Sequence, residues 1–99
     1  MLDSLRCSDF EALVGQAFQV QLESLAPIPL TLVSATETGA PRAPELRPSF
    51  SLIFLGPVSQ QYLRQGTYPL AHERLPGLEL FLVPLGPQAG RMQYQAIFT

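Results

Sequence analysis

Two short apolar runs, Phe50–Leu55 and Leu78–Leu85, constrain this chain more than any other feature. Each has the length of a β-strand and is too short for a buried helix. Gly56-Pro57 ends the first, Pro76-Gly77 precedes the second and Gly86-Pro87 ends it, and such dipeptides interrupt regular structure. Neither run alternates cleanly between apolar and polar residues. A strand wet on one side should alternate, so both runs are expected to be covered on both faces, at the centre of the domain.

Four further strands follow from the remaining pattern. Phe18, Val20 and Leu22 alternate with Gln19, Gln21 and Glu23, as in a half-buried strand. Leu30–Glu37 is rich in β-branched residues, and Met92, Tyr94, Ala96 and Phe98 alternate with Arg91, Gln93, Gln95 and Ile97. Gly66–His72 sets Tyr68 and Leu70 on one face with Pro69 opposite, and a proline inside a strand favours an edge. Ahead of the strands, Ser8-Asp9-Phe10-Glu11 has the form of a capping box. Phe10, Leu13 and Val14 would then share one face of a helix spanning about residues 9–14, stopped by Gly15. Ser59–Arg64 would supply a helical turn with Tyr62 and Leu63 inward. The proline-rich stretch 39–48 reads as a flexible loop. The expectation is a single β domain over 1–99: a small six-stranded antiparallel barrel or sandwich with one short N-terminal helix.

Composition narrows what such a domain does. Charged residues make up 14% of the chain, against about 25% in ordinary globular proteins. There is no lysine, and the six arginines are scattered among eight acids for a net charge of −2. No basic stripe is available to track phosphates, so nucleic acid is not an expected partner. With little charge to cover a small domain, apolar surface should stay exposed and mark a contact with a protein partner or a second copy. Neither a membrane-spanning run nor a secretory leader is visible, so the expected setting is cytoplasmic, alone or as part of an exported assembly.

Chemistry is sparse. Ser49 or Ser51 with His72 and Glu73 would make a triad on paper, but no Gly-x-Ser-x-Gly elbow surrounds either serine. Cys7 and His72 would make a thiol dyad only if the N-terminal end folded back on the fourth strand. One histidine and one cysteine provide no metal-ligand spacing, and without lysine no Walker loop exists. The expectation is therefore no catalytic residues, no metal and no cofactor. The one polar cluster on an expected strand is His72 with Gln65, Thr67, Tyr68 and Glu73, of which Gln65, Tyr68 and His72 stand out. These three are the candidate ligand or contact residues, with a solvated or carbonyl-bonded histidine as the simpler reading.

The blocks Phe50-Ser-Leu-Ile-Phe-Leu-Gly-Pro57, Leu63-Arg-Gln-Gly-Thr-Tyr-Pro-Leu-Ala-His72, Leu80-Phe-Leu-Val-Pro84 and Tyr94-Gln-Ala-Ile-Phe98 resemble a bacterial family of domains of unknown function. The resemblance covers nearly the whole chain. It departs at Glu73 and Thr99, where the family pattern carries proline and asparagine. It transfers no catalytic residue and implies an association with proteins similar to phage-tail collar or fibre components. The leading expectation is a non-enzymatic interaction or assembly module, docking through its apolar surface or through an edge strand, Met92–Phe98 or Gly66–His72. The alternative is a small-molecule-binding barrel with Gln65, Tyr68 and His72 at its mouth.

Overall fold

In the computed structural model of this chain, which describes residues 5–23, 26–38, 49–58, 62–75 and 77–98, six strands close on themselves. They are β1 (Ala17–Val20), β2 (Ile28–Glu37), β3 (Phe50–Val58), β4 (Gly66–Ala71), β5 (Leu78–Gln88) and β6 (Arg91–Phe98). The barrel runs β1-β2-β3-β6-β5-β4, antiparallel throughout. All six expected strands are present, and the barrel, with one short helix, is the fold.

Closure corrects the expectation that the two apolar runs are covered front and back. In β3, Phe50, Leu52 and Phe54 are buried, while Ser51, Ile53 and Leu55 are only half-buried. In β5, Leu78, Leu80 and Leu82 are buried, but Phe81 is 51% exposed. A barrel of this size has one interior, filled by every second residue of each strand. Among the described residues no second layer covers the outside, so the alternate members of even an all-apolar run lie on the outer face.

A short helix, α1 (Cys7–Glu11), packs at the end of the barrel where β3 begins. It starts two residues before the expected 9–14 and ends three earlier. Its N-cap is Arg6 in extended conformation, and the Asp9 carboxylate accepts the Arg6 N–H at 2.8 Å. The reciprocal pair thus lies two residues upstream of the expected Ser8–Glu11 pair. Because the helix stops at Glu11, Val14 leaves the helical face and is exposed, while Phe10 and Leu13 stay buried. Phe10 meets Phe50 at 5.8 Å and Phe98 at 5.4 Å between ring centroids, and those two rings stack on each other at 4.5 Å.

The opposite end is closed by the connection from β3 to β4, which must cross the mouth because β6 and β5 lie between those strands. Leu63 on this connection is buried, and its N–H donates to the Tyr94 hydroxyl at 2.8 Å. Tyr62–Arg64 is irregular rather than helical, with Tyr62 exposed. Residues 59–61 of the expected helical turn, and the whole proline-rich stretch 39–48, lie outside the described residues.

Neither expected edge strand is an edge. β6 pairs with β3 and β5, and β4 pairs with β5 and β1. Pro69 still marks the weakest seam. Its carbonyl accepts the Gln21 N–H at 2.9 Å, but it has no N–H to return, and the β1–β4 register comprises only Gln19↔Ala71 and Val20↔Leu70. At the other hairpin, Ala89 is left-handed (φ 53) beside Gly90 (φ 79), the positive-φ pair that a tight two-residue β-turn demands. Ala89→Gly should raise stability by about 1 kcal/mol in chemical denaturation, because L-alanine is strained there. An unchanged or lower midpoint would show that the turn carries no such strain.

Candidate functional site

The barrel interior is not a ligand chamber. Eighteen hydrophobic residues, Phe10, Phe18, Phe54 and Leu82 among them, form one buried cluster, and no polar or charged residue is buried among the described residues. Among the same residues no group of histidine, cysteine, aspartate or glutamate side chains could hold a metal ion. No helix of the described residues is long and apolar enough to cross a membrane.

His72 follows the last residue of β4 and closes the seam with β1. Its Nδ1 accepts the Arg74 N–H at 3.1 Å, which leaves Nε2 to donate to Gln16 Oε1 at 2.8 Å. Those two partners fix the neutral tautomer with its proton on Nε2. The ring also packs on Phe18, with centroids 4.6 Å apart. Extending the Gln19↔Ala71 register by one step sets Phe18 opposite His72, so the ring contact continues a ladder that Pro69 cuts short. With both nitrogens engaged by the protein, His72 acts as a latch.

The three candidate residues do not converge. Tyr68 lies four residues before His72 on the same face of β4, about 13 Å along the strand, and its hydroxyl donates to the Arg64 carbonyl at 2.7 Å. Gln65 is exposed ahead of the strand. The open groove of about 880 Å³ beside His72 has a floor of Ala17, Pro69 and Ala71 and a rim that includes Gln19, Glu73 and Glu79, and neither Tyr68 nor Gln65 lines it.

Cys7 is buried in α1, and burial first, then Glu11 and Glu37, pushes its thiol above the usual range. A thiol held protonated is a poor nucleophile. Tyr94 is likewise pushed up by burial, against the opposing pull of the Leu63 N–H, with small upward effects from Tyr68 and Tyr62. The folded chain thus keeps this proton to higher pH than the unfolded chain. Its contribution to stability is complete below about pH 10 and is lost as pH climbs from there through the folded value. Melting curves between pH 8 and 11 should show that decline. Tyr94→Phe should lessen the slope while costing about 1–3 kcal/mol at neutral pH, because the Leu63 N–H loses its acceptor. An identical slope in the variant would exclude Tyr94 as its source.

The outer wall over β2, β3, β6 and β5 is the feature that the sequence reading did not resolve into residues. Val33, Phe81, Leu85 and Ile97 are exposed, and Ile53, Leu55 and Val83 are half-exposed beside them. Cross-strand register places Gln95 between Ile53 and Val83, so one amide side chain separates the apolar groups of β3 from those of β5 in this row. The opposite wall, over β1 and β4, presents Ala17, Gln19, Gln21, Thr67 and Ala71 instead. The signal for the apolar wall was present in Phe81, Leu85 and Ile97, outward members of runs read as wholly buried or as polar-faced.

The fold defines a small antiparallel barrel with a hydrophobic interior. The chain belongs to the DUF6916 family, a domain of unknown function, whose pattern matches residues 5–98. No curated protein and no solved structure shows a significant match to it.

Proposed function

We propose that this domain is a non-enzymatic protein-interaction or assembly module that docks through the apolar wall of β2, β3, β6 and β5. The observation that carries the reading is the outward exposure of Phe81 (51%) and Ile97 (62%) in regular, well-paired strands. Fixed strands hold these side chains in place, so a partner covering them orders little backbone, and burial of their area favours association. The surface is short of charge, which lowers the desolvation cost of covering it. From the family resemblance we propose a bacterial assembly of the phage-tail-fibre kind as the setting.

Phe81→Asp and Ile97→Asp test the proposal. Each places a carboxylate on an already solvated face, so the barrel should keep its melting temperature within a few degrees. Partner capture, or self-association by static light scattering, should fall at least tenfold, since covering an unpaired charge costs several kcal/mol. Capture that survives both substitutions would refute the assignment of this wall.

A further inference from the structure

Arg91 carries an inference that rests on the proposed docking reading and gives the partner a chemistry. The pairing of β3 with β6 slips between Leu55 and Val58, where Gly56-Pro57 interrupts the ladder. The Arg91 Nε–H donates to the Gly56 carbonyl there at 2.6 Å, so the bulge holds the guanidinium at a fixed place on the wall. The two terminal nitrogens of Arg91 have no acceptor among the described residues. The guanidinium borders a groove of about 290 Å³ with Val33, Ile53 and Leu55 on its apolar side and Gln88 and Gln93 near the arginine, and among the described residues no carboxylate lines it. An oriented guanidinium with a free face, beside aliphatic side chains and amide donors, matches a carboxylate attached to an apolar body.

We infer that the Arg91 groove receives a segment of a protein partner in which a carboxylate side chain adjoins aliphatic residues. Charge complementarity selects the carboxylate, since among the described residues the groove is lined by one cation and no anion. Continuity with the exposed wall selects a protein. Ile53 on the groove is followed across the sheet by Gln95 and then Val83, so an occupant that extends past the groove crosses one amide and reaches the exposed side chains of β5. The amides of Gln88 and Gln93, without a partner among the described residues, would bond the partner's backbone.

The test is a titration of isotopically labelled protein with acetyl-Leu-Val-Glu-Leu-amide and with its Glu→Gln counterpart, followed by nuclear magnetic resonance. The glutamate peptide should shift the Arg91 Nε–H, the side-chain amides of Gln88 and Gln93 and the Val33 backbone signal. The glutamine peptide should bind about tenfold more weakly, the loss of one charge-assisted contact. Arg91→Gln should abolish the preference between the two peptides. Since that variant also removes the clasp on Gly56, Val33→Asp serves as a second probe on an exposed, unbonded position and should weaken the glutamate peptide by a similar factor. Equal binding of the two peptides, shifts confined to the β1–β4 wall, or shifts with sodium octanoate but with neither peptide would each overturn the inference. Failure here with capture still lost in Phe81→Asp would remove the Arg91 groove alone; capture unaffected by Phe81→Asp would remove the docking wall itself.

Discussion

Phe10→Ala is expected to lower the unfolding free energy by about 3–5 kcal/mol, the range for removing a fully buried aromatic ring. Phe10 has no exposed surface and packs at a tilt against the stacked Phe50 and Phe98 rings. A five-residue helix does not persist by its own hydrogen bonds, so α1 stays on the barrel because Phe10, with Cys7, fills the space beneath β2 and β3. Truncation leaves a cavity and frees the helix at once. For a domain of this size the melting temperature should fall by about 12 °C or more. Hydrogen exchange should show lost protection in α1 and at the Phe50 and Phe98 ends of their strands, with the middle of the barrel retained. A variant with near-native melting would mean that α1 is an ornament on the barrel and does not plug it.

Phe18→Ala should cost a similar amount, about 3–5 kcal/mol, and should open a different part of the molecule. Phe18 is wholly buried, packs edge-to-face on Phe54 at 5.5 Å and carries His72 on its other side at 4.6 Å. β1 is four residues long and reaches β4 through only two register pairs. Ring contact and the His72–Gln16 hydrogen bond therefore hold much of the seam. Amide exchange should accelerate first in β1 and β4, while β3 and β6, paired over most of their length, should exchange slowly. His72→Ala should show the same distribution with a smaller cost, about 1–3 kcal/mol, because it removes the latch and leaves the core ring. Uniform loss of protection across all six strands would show that the seam is no weaker than the rest.

These two substitutions also separate what was legible in the chain from what was not. Phe10 and Phe18 were both visible as inward residues, one from a cap-and-spacing pattern and one from alternation. Their partners were not, because Phe50, Phe54, Phe98 and His72 arrive from more than thirty residues away. His72 stood out as the single histidine, yet its role depends on Gln16 and Arg74, which come from either side of the closing seam. Arg91 gave no signal at all. Its fixed position follows from a register slip in a neighbouring strand, and register between strands is a property of the assembled sheet.

The chain by itself determined six strands and the inner residues of those that alternate, such as Phe18 and Val20 or Tyr94, Ala96 and Phe98, because period-two alternation, β-branching and Gly-Pro punctuation act over a few neighbouring positions. Tertiary structure alone decided that the sheet closes, which removed both expected edges. Closure also decided that half of every apolar run faces outward, since a barrel encloses one interior and has nothing to lay against its outer wall. The docking surface and the seam are both consequences of that geometry, and no local pattern encodes which strands meet.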